Sequence, residues 1–457
     1  MDVAQLLEPV LTGGVRDTHF FNGRILTADD LRTMQIASRQ HDAQLGRAIG
    51  DGVAHGLEVS VTSGGPGSAT SAVLHVSRGL ALNRLGERAS LPAGVDVALV
   101  RADEAPEVEG VFTICVPTSG TVHTNLGLYV LTVAPSSGFE GRAPMTELGT
   151  EGVAGKCGSR YEVEGVRFDC RPVSLPAGQT SARAEAQSLF TILQAQLESL
   201  PAGAVSTELF KLRNIAAHLL FGSDVDERHW RDALAVEDEH TAGDWLHTLR
   251  SQNQLADCEV PLALVYWSIR GIEFVDAWAV RRRVGLAPHP HRPFTWLTAP
   301  RRVVEAEARL RQFQDQLEAL RASHPTPETL PATACFRYLP PAGLLPVSGG
   351  TGTAFTHLTF FPPVVYRDPV FVEGARLEPL LRASLAYPAF DLADPSMVWL
   401  YAARENSQAI DDGGAGLPGA YLAFATGHMP FHGLARFDVS QWEYSNFSAS
   451  FDEAAFA

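Results

Sequence analysis

The 457-residue sequence has little lysine and no long hydrophobic run. Its only lysines are Lys156 and Lys211, so arginine supplies nearly all of the positive charge. The net charge is −16 at pH 7, which argues against nucleic acid or an anionic membrane as the partner. No stretch has the length of a transmembrane helix, and residues 1–4 are too polar for a signal peptide. We therefore expect a protein that is cytoplasmic on synthesis.

The cysteines are few and form no recognisable framework. They are Cys115, Cys157, Cys170, Cys258 and Cys335. Without a CxxC pair or a Cys/His zinc spacing, an odd number of cysteines indicates free and mostly buried thiols. One alternative stays open, which is a Cys157–Cys170 disulfide in an exported particle, bracketing residues 158–169.

Catalytic motifs are also lacking. There is no G-x-S-x-G elbow and no P-loop. Residues 414–419 match G-x-G-x-x-G, but Pro418 interrupts them and a strand follows, which is typical of a hairpin loop. We expect no enzymatic activity, no metal and no cofactor. The alternative is a metal-dependent hydrolase that uses His240, Asp244 and His247, which would share one helical face.

What the sequence does contain is a strong helix start after an aromatic pair, at residues 20–31. Thr27 is a good N-cap residue, and Asp30 stands three positions later, where a capping box needs an acceptor. Leu26 and Leu31 occupy the two positions of a hydrophobic staple. These features predict an extended arm that leads into a capped helix.

The predicted helix carries a stripe of residues at heptad spacing. The stripe consists of Leu31, Met34, Ser38, His41, Leu45 and Ala48. Its ends are apolar and its middle is polar. Ser38 and His41 either face a partner or belong to a solvated stretch.

This opening resembles that of the type VI secretion baseplate adaptor proteins. It is more similar still to proteins encoded beside baseplate genes of phage-tail-like contractile injection systems. The matching residues are Phe21, Gly23, Leu26, Asp30, Leu31, 56–58, 79–81, Gly86, Leu91 and Pro92. The resemblance covers about the first fifth of the chain. It implies a non-enzymatic structural or adaptor component at or near the baseplate, in contact with baseplate or fibre proteins and assembled into a contractile particle.

The order of patterns predicts an α+β multidomain chain with four parts. We expect an arm and helix over 1–50 and a β-rich, sandwich-like or shoulder-like domain over 51–180. A helical bundle region follows over 181–325 and a β domain over 326–457. Residues 138–170 show no clear period and are predicted to form a long structured loop. The resembled family has the same order of shoulder, bundle and head.

Two segments of the helical region have coiled-coil-like seams. The first seam contains Ala186, Phe190, Leu193, Leu197 and Leu200, and the second contains Val303, Ala306, Leu310, Phe313, Leu317 and Leu320. The seams pack either within the chain or between subunits of a homo-oligomer. A further alternative is a glycan-binding or receptor-binding tail protein that uses the aromatic and His-rich residues 427–432.

The partner-binding residues predicted from these patterns fall into two groups. Phe20, Phe21 and Arg24 form the arm, in which the two phenylalanines are expected to anchor a neighbouring subunit and Arg24 to contact its rim. The same phenylalanines could instead close the β-domain core of this chain. Leu310, Phe313 and Leu317 are the seam residues expected at a subunit contact.

Overall fold

The computed structural model describes most of the elements that the sequence predicts. The described residues are 11, 14–65, 72–99, 127–144, 157–173, 181–198, 207–221, 246, 249–250, 252–268, 271–285, 300–348, 354–361, 369–372, 374–384, 389–393, 398–403 and 420–426. Of the described residues, 37% are helical and 38% are in strands, which confirms the α+β class at this coarse level. None of the described helices is long and apolar enough to cross a membrane.

The described helices and strands alternate irregularly along the chain. The helices are α1 (Ala28–Ile49), α2 (Ser181–Glu198), α3 (Thr207–Leu220), α4 (Ala277–Val280), α5 (Pro300–Ser323), α6 (Ala332–Cys335), α7 (His357–Phe360) and α8 (Gly374–Ser384). The first strands are β1 (Gly52–Gly56), β2 (Val59–Ser63), β3 (Val73–Val76), β4 (Gly79–Leu82), β5 (Arg88–Leu91), β6 (Val95–Ala98), β7 (Gly127–Pro144) and β8 (Cys157–Pro172). The others are β9 (Val260–Ser268), β10 (Gly271–Asp276), β11 (Tyr338–Leu339), β12 (Ala342–Ser348), β13 (Val370–Val372), β14 (Phe390–Asp391), β15 (Val398–Ala403) and β16 (Ala420–Thr426).

Two small antiparallel sheets follow α1. Their strand orders are β1-β4-β5 and β2-β3-β6. Residues on β3 and β4 alternate between buried and half-buried positions, as the period of two in a one-sided sheet requires. Their inward side chains, among them Leu74 and Val76, meet the next sheet in one core.

The central sheet has the order β10-β9-β7-β8 and is antiparallel throughout. One of its faces packs on the two small sheets, through Leu131 and Leu262 among others. Its other face packs on α2, α3 and α4, through Val130 and Leu264 among others. Because β9 is covered on both faces, its sequence is continuously apolar instead of alternating.

The expectation of a loop over residues 138–170 is wrong for the residues that the structure describes there, 138–144 and 157–170. Strands β7 and β8 form one long hairpin whose pairs run from Tyr129↔Pro172 to Pro144↔Cys157. Beyond the sheet, both faces of this hairpin are largely exposed over residues 138–142 and 159–165. A strand pair that buries neither face needs no apolar alternation, so the sequence carries no period there. We call the outer part, residues 137–144 with 157–164, the ribbon.

The extended conformation of β8 also shows whether Cys157 and Cys170 can form a disulfide. Both residues lie on β8, thirteen positions apart, which corresponds to about 40 Å along an extended strand. A disulfide requires Cα atoms within about 7 Å. The two cannot pair within this chain, and Cys170, Cys258 and Cys335 are free.

The C-terminal part contains a second four-stranded sheet of order β12-β16-β15-β13. Strand β13 runs parallel to β15, and the other pairs are antiparallel. Helix α5 packs against this sheet through Phe313, Leu317 and Leu320. Seven buried phenylalanines line the same core, at positions 313, 336, 355, 360, 361, 390 and 424.

The described residues of both seams pack within the chain, whereas the side chains of Leu197, Leu200 and Val303 lie outside the described part. Ala186, Phe190 and Leu193 of α2 are buried in the core beneath the central sheet. Helix α5 contributes Ala308 to that core and its later seam residues to the C-terminal core. The seams therefore join α2 and α5 to the cores of this chain, which is the intrachain alternative.

Candidate interaction surface

Exposed apolar side chains are concentrated at the start of the chain. Among the described residues, ten of the seventeen large apolar side chains that stay exposed lie between residues 11 and 49. They are Leu11, Phe20, Phe21, Ile25, Leu26, Leu31, Met34, Ile36, Leu45 and Ile49. Contiguous exposed apolar surface on a globular protein commonly marks a contact site. This region is therefore the candidate functional site.

The arm, residues 14–27, leaves its two phenylalanines in solvent. Phe20 is 52% exposed and Phe21 is 61% exposed. The Arg24 guanidinium lies 5.9 Å from the centre of the Phe21 ring. In this structure the pair does not close the core of its own chain, which was one of the two expectations.

Arg24 fixes the arm against the start of α1. Its guanidinium donates to the backbone carbonyl of His19 and forms an ion pair with Asp30. The Thr18 hydroxyl donates to the backbone carbonyl of Asp30 at 2.8 Å. The arm is thus held by polar contacts while its apolar side chains point outward.

The predicted cap of α1 is confirmed. The Thr27 hydroxyl accepts from the Asp30 backbone N–H at 3.2 Å, and the Thr27 N–H donates to the Asp30 carboxylate at 3.0 Å. The hydrogen bond from the Thr27 backbone lowers the pKa of Asp30, with smaller contributions from the Thr27 hydroxyl and Arg24. The staple residues Leu26 and Leu31 remain 50% and 48% exposed.

Helix α1 is attached to the rest of the molecule by few contacts. Only Ala37 and Gly46 are buried. Gly46 packs directly on the turn between β4 and β5, where an added Cβ would stand 2.1 Å from the Gly86 carbonyl oxygen. Arg47 donates to the Leu85 carbonyl at 3.0 Å. Arg39 lies 3.5 and 3.3 Å from Glu162 and Glu164 of the ribbon.

All six residues of the stripe are exposed. At about 100° per residue, the stripe occupies one sector of α1 between the two buried residues, with Ala37 next to Ala48 on one side and Gly46 beyond Leu31 on the other. Arg39 and Arg47 lie on the other side of the helix. The sequence indicated the spacing of this stripe, but not that its apolar ends would remain uncovered.

The ribbon is a second exposed feature, and sequence reasoning missed it. Phe139, Tyr161 and Val163 are 51%, 53% and 44% exposed. The Arg160 guanidinium lies 5.0 Å from the centre of the Tyr161 ring, and Arg88 pairs with Glu164 at 2.9 Å. No face of the ribbon is buried, so its sequence shows no periodic pattern. Only a turn signal in the sequence could have suggested a hairpin here.

The seam residues predicted to bind a partner lie inside the chain. Phe313 and Leu317 are 1% and 0% exposed, and Leu310 is half-buried. Phe313 contacts the rings of Phe336 and Phe424, with centroids 5.2 and 5.5 Å away. These contacts leave Phe313 and Leu317 no surface for a neighbouring subunit in this structure.

The residues of the two functional alternatives fall outside the described part of the chain. They are His240, Asp244 and His247 of the hydrolase and residues 427–432 of the glycan-binding or receptor-binding protein. The glycine-rich residues 414–419 also lie outside it. Among the residues that are described, no group of three or more His, Cys, Asp or Glu side chains is arranged to hold a metal.

The most buried carboxylates of the described chain are engaged in packing. Asp276 is fully buried and accepts from Arg213 at 2.6 Å and from Gln312 at 2.9 Å. It therefore ties α3 and α5 to the start of α4. Glu259 is 1% exposed and accepts from Arg171 at 2.9 Å. Each charge is balanced by a neighbouring guanidinium, which is typical of a structural ion pair.

A cavity beside α3 is also built from groups that hold elements together. Asn214 donates to the Tyr338 carbonyl and accepts from the Arg337 and Tyr338 N–H groups, each at 2.9 Å. His218 stacks on the Tyr338 ring at 3.5 Å. The polar atoms of Asn214 are thus occupied by contacts within the chain.

No protein-family model matches the chain, and no curated protein matches it significantly. A functional proposal therefore has to rest on the exposed residues of the arm and α1.

Proposed function

We propose that the protein is a non-enzymatic structural adaptor of a contractile, phage-tail-like injection apparatus, at or near the baseplate. It is made in the cytoplasm and assembled into the particle, where it contacts baseplate or fibre subunits. The resemblance of residues 20–92 supports this function. The observation that carries it is the arm, whose two phenylalanines lie exposed on a segment already fixed in position.

The arm acts as an anchor for a neighbouring subunit. Phe20 and Phe21 are about half exposed, so completing their burial contributes roughly 1.5–3 kcal/mol before the cost of ordering. The Arg24–Asp30 ion pair reduces that cost, since the arm already has a defined conformation. Arg24 also lies at the edge of the phenylalanine pair, where a rim contact to the partner forms.

The double substitution Phe20→Ser and Phe21→Ser tests the proposal. We expect a chain that folds normally and no longer joins particles, because the removed side chains are exposed in the free protein. Phe139→Ser is the matched control, since Phe139 is equally exposed but lies on the ribbon. Circular dichroism checks the fold, and sedimentation with purified particles checks assembly.

Two results would contradict the proposal. If the double variant unfolds, the phenylalanines close the core of this chain instead of anchoring a partner. If particles assemble and inject normally after deletion of the whole gene, the adaptor function itself is wrong.

A further inference from the structure

We infer that the stripe on α1 is the contact surface for a second copy of this chain, and that the two α1 helices pair antiparallel. The inference comes from the order of residues in the stripe and does not depend on the contractile-particle proposal. It names one occupant for the exposed face, which is α1 of another copy.

The stripe has a palindromic pattern. Read in either direction, Leu31, Met34, Ser38, His41, Leu45 and Ala48 give two apolar residues, two polar residues and two apolar residues. In an antiparallel helix pair with heptad packing, an a position of one helix shares a layer with a d position of the other. The layers here are Leu31 with Ala48, Met34 with Leu45, and Ser38 with His41, each formed twice.

A two-fold axis requires this kind of self-complementarity. In an isologous contact, residue i of one copy touches residue j of the other, and j touches i. The palindrome satisfies that condition in every layer, with apolar residues facing apolar residues. A parallel pair would also match like with like, but it would place His41 of one copy directly against His41 of the other.

The polar centre gives the pair a register. The Ser38 hydroxyl and the His41 ring are both exposed in the single chain, and each can offer the other a hydrogen bond. Polar residues inside a helix seam fix register at some cost in stability. A shift by one heptad would set Ser38 against Met34 or Ala48, and His41 against Leu31 or Leu45. Both polar groups would then have no partner.

The flanks of the stripe agree with the same pairing. The position beside the stripe that carries Gln35 on one helix faces Asp42 on the other, and both residues are exposed in the single chain. Ala37 on the opposite flank is buried in its own chain and makes no contact across the pair. Over these residues, no two like charges stand opposite each other. Arg39 points instead toward Glu162 and Glu164 of its own chain.

The available surface is large enough for a dimer. Helix α1 has 22 residues, so its length is about 33 Å, or three heptads. A large apolar side chain presents on the order of 100 Å² of apolar surface. The half-exposed Leu26, Leu31, Met34, Leu45 and Ile49 thus supply roughly 500 Å² over two copies.

The two arms complete the contact. In the antiparallel pair, Ile49 of one helix lies level with residue 30 of the other, close to its arm. Ile25 is 86% exposed there and raises the apolar area to roughly 700 Å². With the usual polar share, the total is about 1,100 Å², which exceeds the roughly 1,000 Å² expected of a specific interface.

The first experiment compares the association of purified variants by analytical ultracentrifugation over a wide range of concentrations. We expect a wild-type dimer. The Met34→Asp and Leu45→Asp double variant sets two carboxylates against each other in two layers, so its dissociation constant should rise at least about 100-fold. Ile36→Asp is the control, because Ile36 is 41% exposed on another side of α1 and should leave the dimer intact.

Charge reversal separates pairing from misfolding. A Met34→Arg and Leu45→Arg double variant should be monomeric alone and should form a heterodimer when mixed with the aspartate variant. Circular dichroism should show that both variants are folded, because the substituted side chains are exposed in the single chain.

Thiol crosslinking reads the orientation directly. A mixture of the Leu31→Cys and Ala48→Cys chains should link across the pair with a short bis-maleimide, whereas each chain alone should show only the wild-type background. A wild type that is monomeric at every concentration would overturn the inference. So would loss of the dimer in Ile36→Asp, or strong linking of Leu31→Cys to itself. Particle assembly is a separate readout, so a dimer that never joins particles would contradict the adaptor proposal and not this one.

Discussion

Helices α1 and α5 are alike in length and spacing but have opposite surroundings. They have 22 and 24 residues, and both carry residues at heptad positions. The side chains of Phe313, Leu317 and Leu320 on α5 are buried in the chain's own core. Those of the α1 stripe remain exposed. A heptad pattern therefore indicates a helix that pairs with an apolar surface, and does not say which molecule supplies that surface.

The polar residues of the two helices show the same contrast. On α5, Gln312 donates to Asp276 at 2.9 Å, and Gln316 donates to the backbone carbonyls of Phe210 and Cys335. Helix α5 is thus fixed by specific bonds as well as by packing. Ser38 and His41 on α1 have the same opportunity only with a partner, because they face solvent in the single chain.

The largest expected effect is on the free energy of unfolding, which should respond differently to loss of a buried and of an exposed phenylalanine. Phe313→Ala removes a ring that is 1% exposed, and should lower the free energy of unfolding by about 3–5 kcal/mol. Phe21→Ala removes a ring that is 61% exposed, and should change it by less than about 0.5 kcal/mol. Urea denaturation followed by circular dichroism measures both. Similar losses in the two variants would mean that the arm belongs to the core.

Thiol reactivity probes the same contrast near α5. Burial raises the pKa of the Cys335 thiol to about 12, from an ordinary value of 9.0. At pH 8 this reduces the thiolate fraction about a thousandfold, since each pKa unit is a factor of ten. We expect Cys335 to be unreactive toward iodoacetamide in the native protein and reactive after unfolding.

Gln40→Cys supplies the exposed counterpart on α1, because Gln40 is exposed and lies off the stripe. Its thiol should be alkylated rapidly in the native protein, as peptide mapping by mass spectrometry would show. Rapid native alkylation of Cys335 would contradict the buried environment of the α5 core.

The sequence predicted the helices better than their surroundings. The Thr27–Asp30 capping box depends on residues three positions apart, so local spacing was enough to find it. The ribbon was missed because neither of its faces is buried along residues 138–142. The sequence did not show whether the α5 seam packs within the chain or between subunits. Burial of Phe313 depends on residues far along the chain, such as Phe424.

An intermediate effect is expected where α1 meets the sheet. Gly46→Val would place side-chain atoms against the backbone of Gly86, which a Cβ already approaches to 2.1 Å. We expect α1 to shift from the β4–β5 turn at a cost of about 1–3 kcal/mol. Faster hydrogen exchange in α1, with unchanged exchange in β9, would show local release. Gln40→Val is the control, since Gln40 is exposed on α1 and lies off the stripe. If exchange in β9 rises equally, α1 is part of the global core.

The smallest expected effect concerns the cap that joins the arm to α1. Thr27→Ala removes the hydroxyl that accepts from the Asp30 N–H, and should weaken the first turn by about 1 kcal/mol. Protection of the first-turn amides should then fall roughly fivefold, whereas β9 should keep its protection. Thr33→Ala is the control, because the Thr33 hydroxyl bonds only the Asp29 carbonyl inside the helix.

The pH dependence of the cap has a defined sign. The pKa of Asp30 is lowered below its ordinary value of 3.8 by the hydrogen bonds from Thr27. Its stabilising effect is therefore complete above pH 3.8 and is lost as the pH falls through the lowered pKa of the folded state. Protection factors of the first-turn amides should decrease in that acidic window. In Thr27→Ala the decrease should be shallower, because one of the bonds that lowers the pKa is gone. An unchanged decrease in the variant would mean that Arg24, and not the cap hydroxyl, holds the carboxylate in its charged form.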